Sequence, residues 1–72
     1  MSHNRLKVDK ILIFFNEGNS VPYENVEICD DDDYFYVFEK YPETEQVGID
    51  VYKVDTIEKY YMKLPLSEVY EE

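Results

Sequence analysis

Apolar residues come in short bursts along this chain, each closed off by turn residues. Runs rich in Val, Ile, Tyr, Phe and Thr are separated by "NEGNS", "DDDD" and "PETE". β-Branched and aromatic side chains suit a pleated, half-buried surface, while Asn, Asp, Gly and Pro suit chain reversals. The pattern predicts a first strand over Leu6–Phe15, a Gly-containing hairpin loop over residues 16–20, and a second strand over about Val21–Cys29. In the second strand the apolar positions change parity, from Val21 and Tyr23 to Val26 and Ile28. With Pro22 beside them, that change points to an edge position or a bulge. Asp30–Asp33 form the next turn, Tyr34–Tyr41 the third strand, and residues 42–45 a further turn. The fourth strand runs Gln46–Val54, with Val47, Ile49 and Val51 on one face.

Residues 55–64 fit two readings. Asp55 with Glu58 matches a capping box, and Ile57, Tyr60, Tyr61 and Leu64 recur at helical spacing. Tyr60, Met62 and Leu64 also alternate as a strand would, with Asp55-Thr56 as a tight hairpin loop. The alternation is favoured, giving a fifth strand. Pro65 ends either element, and "LSEV" can add one short helical turn. The expected fold class is mainly β: a single small antiparallel sheet of four to five strands, with at most one short C-terminal helix.

Clean alternation would give one wet face and one buried face. Here "ILIFF" and "YFYVF" are apolar at both parities. Such a sheet can curl into a small barrel, or it can bury its second face against another copy. The expectation is self-association as a two-fold homodimer, the commonest symmetric solution. The 72 residues make one domain over 1–72, with residues 1–5 frayed and 71–72 a loose acidic end. A domain of this size buries only about 60% of its unfolded surface, so a second chain would help complete the core.

Charge changes the picture most. The net charge is −10, against an aromatic content of 17% that no disordered tail carries. Residues 17–50 hold eleven acidic side chains and one basic one, Lys40, so the whole net charge sits in the central strands and their turns. Self-repulsion of that size opposes compaction, and a chain that keeps it uses it for solubility or for its field. Nucleic acid and anionic membrane surfaces would repel such a chain, whereas a basic protein would attract it.

Most chemistry is excluded by what the acids and the single cysteine lack. An EF-hand loop begun at Asp30 would need Gly and Glu where Phe35 and Tyr41 stand. Cys29 has no histidine to activate it, since the only one, His3, lies in the expected frayed start, and it reads as a buried small hydrophobe. Neither a glycine-rich phosphate loop nor a basic groove is present. No enzyme, cofactor or metal site is expected. "ILIFF" is too short for a signal core or a membrane span, and the reading is a soluble cytoplasmic protein.

On an extended segment, residues i and i+2 share a face at about 6.6–6.8 Å. Glu43 and Glu45 have that spacing, and the turn carboxylates Asp30–Asp33 would extend such a row at the sheet's end. Fixed negative points at such intervals resemble a phosphate backbone to a protein built to neutralise one. The plainer alternative is a set of solvated turns and edge charges that prevent sheet-to-sheet aggregation.

In carboxylate density and small size, the segment "NEGNSVPYENVEICDDDDYFYVF" resembles the DNA mimics, small acidic phage proteins that occupy the DNA-binding sites of host proteins. It is similar in size and charge to a phage-encoded inhibitor of the bacterial histone-like protein HU. Such mimics share surface charge and not a fold, so the resemblance implies an activity class and no residue correspondence. It implies a cytoplasmic inhibitor, in the host bacterium, that blocks DNA binding by a basic host protein. The residues expected to meet the partner are Glu24, Glu27, Asp30, Asp31, Asp32, Asp33, Tyr34, Tyr36, Glu39, Glu43 and Glu45. The two tyrosines would serve as anchors beside the aspartates; strand packing accounts for them equally well. The alternative is an acidic interaction module, either an immunity or antitoxin-like protein or a structural subunit.

Overall fold

A computed structural model describes residues 5–66, arranged as five antiparallel strands in one sheet. β1 spans Leu6–Phe15, β2 Ser20–Asp30, β3 Tyr34–Tyr41, β4 Gln46–Lys53 and β5 Ile57–Lys63. The expected mainly β class holds, and residues 57–63 take the strand alternative, pairing with β1 from Lys10↔Lys63 to Phe15↔Ile57. The fourth strand is one residue shorter than expected, because Val54 enters a single 3-10 turn at Val54–Thr56. Of the helical turn expected at "LSEV" only Leu66 is described; its other residues, the acidic end and all of the expected frayed start except Arg5 lie outside the described residues.

The strand order is β4-β3-β2-β1-β5, so β4 and β5 stand at opposite edges. In a flat sheet those edges would be about 19 Å apart, four inter-strand spacings. Only Val54–Thr56 joins them, and three residues of 3-10 helix rise about 6 Å. The sheet therefore has to curl until its edges approach. Two ring contacts span the curl: Phe15 of β1 with Tyr52 of β4 at 5.2 Å, and Phe35 of β3 with Tyr60 of β5 at 5.3 Å. Of the two ways to satisfy a doubly apolar sheet, the chain takes curling for its inner face.

That inner face is the core. Val8, Ile11 and Ile13 of β1, Tyr23, Val26 and Ile28 of β2, and Phe35 and Val37 of β3 are buried together. Tyr52, Val54, Ile57 and Met62 pack against them. The parity change expected in β2 is real and has a partner in β1, where the inward positions shift between Val8 and Ile11. It falls at Asn25, whose φ of 56° is left-handed, a conformation Asn tolerates better than most residues. β2 itself is central. Its pairing with β3 begins only at Glu27, however, so Pro22 lies in a half that, among the described residues, pairs with β1 alone.

One polar cluster reaches across the curl. The Tyr23 hydroxyl donates to Asp50 Oδ2 at 2.6 Å and shares a further hydrogen bond with the Tyr52 hydroxyl. It ties β2 to β4, which are not neighbours in the sheet. Tyr23 is buried and Asp50 half-buried, so this charge-assisted bond is better shielded from water than the surface pairs.

Candidate functional site

The four aspartates make the β2–β3 turn, and Asp31 builds it. Asp31 Oδ1 accepts the backbone N–H groups of Asp33 and Tyr34, both at 2.8 Å, and Oδ2 accepts the Tyr36 hydroxyl at 3.2 Å. This is the turn role open to Asp, whose side chain can replace a backbone acceptor. Asp30, Asp32 and Asp33 are exposed beside it. Asp31→Ala removes the acceptor for two backbone donors and is expected to cost about 1–2 kcal/mol. Asp31→Asn keeps Oδ1 and should cost much less. Urea unfolding of the two variants checks this, and equal losses would deny the turn-building role.

The curl brings two further acids to this turn. Val54 N–H donates to Asp33 O at 2.9 Å, fixing the 3-10 turn against the aspartates. Asn16 N–H donates to Thr56 O at 2.9 Å, and Asn16 Nδ2 to Asp55 O at 2.7 Å. Three loops far apart in sequence therefore meet at one corner, with Glu17, Asp55 and the aspartate turn exposed on it. Sequence reasoning did not place Glu17 or Asp55 in the site. The missing signal was the short β4–β5 link, whose consequence is visible only once β5 is known to pair with β1.

The other expected residues lie elsewhere. Glu43 and Glu45 are in the β3–β4 turn, at the far end of β3 from Asp33, and an extended strand of that length covers on the order of 20 Å or more. Glu27 is engaged by two cations, Lys40 Nζ at 2.9 Å and Arg5 at 3.2 Å. The Lys40 hydrogen bond, helped by Arg5 and opposed by burial, holds its carboxyl below the usual carboxylate range. It stays ionised but largely neutralised by its own neighbours. Glu24 faces Lys10 at 3.8 Å, and Glu39 accepts the Tyr41 hydroxyl at 3.4 Å. Of the nine acids among the eleven residues, Asp30–Asp33 form the acidic corner, Glu24 and Glu27 of β2 face cations, Glu39 meets the Tyr41 hydroxyl, and Glu43 and Glu45 make a second acidic turn.

Tyr34 and Tyr36 point to the outer face of the sheet with Cys29, Phe38, Ile49 and Val51, following the register Cys29↔Tyr36↔Val51 and Glu27↔Phe38↔Ile49. Their rings are 6.4 Å apart. Burial, then the Asp31 carboxylate, pushes the Tyr36 hydroxyl pKa up. Arg5 lies 3.9 Å above the Phe38 ring, shielding it. Arg5, Cys29, Asp31, Tyr36, Phe38, Ile49 and Val51 line an open groove of about 550 Å³. Cys29 is half-buried on this outer face, in place of the core position expected for it.

Among the described residues no three His, Cys, Asp or Glu side chains converge as metal ligands, and no charged side chain is buried. No helix among them is long and apolar enough to cross a membrane. No family model, curated protein or solved structure matches the chain.

Proposed function

We propose that this protein is a DNA-mimic inhibitor, which docks its acidic corner on the phosphate-binding surface of a basic DNA-binding protein and so excludes DNA. The observation that carries this reading is the gathering of Glu17, Asp30–Asp33 and Asp55 by three stitched loops. Their backbones are held by Asp31 and by the 3-10 turn, so the carboxylates are presented with little flexibility left to lose on binding. The lysines Lys10, Lys59 and Lys63 share the outer side of the β1–β5 pair, and Lys53, opposite Tyr34, stands beside the aspartate turn, one cation against six acids. A corner of such negative excess speeds encounter with a basic partner and makes it salt-sensitive. The leading partner class is a histone-like nucleoid protein, whose grip on DNA rests on backbone neutralisation and deformation.

The test is capture from a bacterial lysate on the tagged protein, with and without added duplex DNA, followed by titration of the protein into a preformed complex of histone-like protein and DNA. A basic DNA-binding protein should be enriched, DNA should remove it, and the titration should release DNA. A captured partner that is indifferent to DNA would sink the mimic reading. That result would favour the second reading, an acidic interaction module. Its supporting observation is the half-exposed row Val47, Ile49 and Val51 on the outer face of β4.

A further inference from the structure

The acidic corner leaves β4 unused. β4 is an edge strand eight residues long, and among the described residues only β3 pairs with it. A free edge offers a row of unpaired backbone donors and acceptors, a template for another strand. Edges are ordinarily protected by charge. β5, the other edge, carries Glu58, Lys59 and Lys63. β4 has only Asp50 and Lys53, and Asp50 is taken up by Tyr23 on the inner face. On its outer face Val47, Ile49 and Val51 are 53%, 52% and 52% exposed, an unbroken apolar row on an unguarded edge.

We infer that β4 is a homodimer interface, in which two copies pair their β4 strands antiparallel about a two-fold axis and join their sheets into one. This interface does not depend on the inhibitor reading. The side chains select the register. With the axis at Ile49, Ile49 faces its own copy, Val47 faces Val51 of the partner subunit, and Lys53 comes level with the turn residue Glu45 of the partner subunit, one position before β4. Apolar meets apolar along the whole row, and a cation meets an anion at each end. An axis at Asp50 would set two carboxylates opposite each other, which destabilises a cross-strand pair. An axis at Gly48 would set Glu45 against Val51, and one at Val51 would set Ile49 against Lys53. A shift by an odd step would put the apolar row against the opposite face. The arrangement is isologous and closes on itself, so it makes dimers and not fibres.

Sedimentation of the full chain over a range of concentrations should show a monomer–dimer equilibrium. Two chains of charge −10 repel, so the dimer should tighten severalfold as salt rises from about 50 to about 500 mM. Target binding by the acidic corner should weaken over the same range, so the two readings can fail separately. Ile49→Lys places two lysines on the axis and should give a monomer with unchanged circular dichroism. Lys53→Glu and Glu45→Lys should each weaken the dimer about tenfold, since each makes two like-charge pairs. The double exchange should restore it to within about threefold. Hydrogen exchange should show alternate β4 amides gaining protection as the dimer forms. A chain that stays monomeric at all concentrations overturns the proposal. So does a dimer that the double exchange does not restore, or one in which β4 amides stay unprotected, because that would be packing face to face.

Discussion

Replacing Asp30, Asp32 and Asp33 by Asn, with Asp31 kept, is expected to weaken capture of a basic DNA-binding partner by on the order of tenfold to a hundredfold at low salt. The three carboxylates are exposed, and no backbone donor of the turn depends on their side chains in the way that Asp33 and Tyr34 depend on Asp31. The variant should therefore fold normally and lose field alone. Its loss should shrink as salt rises, because screening already removes part of what the mutation removes. Glu24→Gln with Glu43→Gln is the comparison: one of these acids is opposed by Lys10 and the other sits in the distant turn. That pair should cost only a few-fold. Affinity measured at several salt concentrations decides it. A triple variant that binds as tightly as the parent at every salt concentration would show that the corner does not carry the interaction.

Tyr23→Phe is expected to cost roughly 1.5–3 kcal/mol, the range for a hydrogen bond to a charged group. For a domain this small that lowers the melting temperature by about 10 °C or more. The substitution removes the donor to Asp50 and the link to Tyr52, and with them the tie between β2 and β4. It should also change the alkaline limb of stability. In the unfolded chain a tyrosine loses its proton near pH 10. In the fold, burial first, then Asp50 and Tyr52, holds the Tyr23 proton well above that. The folded chain then keeps a proton that the unfolded chain gives up, so the contribution is intact below about pH 10 and falls away as pH climbs further. Urea midpoints between about pH 8 and pH 11 should fall steeply for the parent and less steeply for the variant. The remaining slope belongs in part to Tyr36 and Tyr41, whose pKa values are also raised, Tyr41 chiefly by the charge of Glu39. An unchanged slope in Tyr23→Phe would remove Tyr23 from this account.

The strands were legible because local chemistry and tertiary need agree in them. "NEGNS", "DDDD" and "PETE" are turn-forming wherever the chain goes, and each lies between two paired strands. The ambiguity at 55–64 arose because Tyr60 and Leu64 satisfy either period; what decides is the pairing of residues 57–63 with β1, a long-range fact. The acidic corner was legible in part. Four adjacent aspartates announce themselves, but Glu17 and Asp55 join them only through the curl. Glu27 counted as a free negative charge in sequence, and its neutralisation needs Arg5 and Lys40 brought from either side. Cys29 follows from parity alone: with Val26 and Ile28 inward, residue 29 has to face out.

The pairing of β5 with β1 also sets the order of events when the chain is made. Lys10 and Lys63 are partners although most of the sequence lies between them. Long-range pairing of this kind is slow, because the entropy of closing the loop is lost before the contacts form. The first three hairpins can form as they emerge from the ribosome, but Ile11 and Ile13 keep one flank open until β5 has followed them. The chain should then gain most of its protection from proteolysis late, when β5 pairs, and truncation before Ile57 should leave the earlier hairpins open to protease.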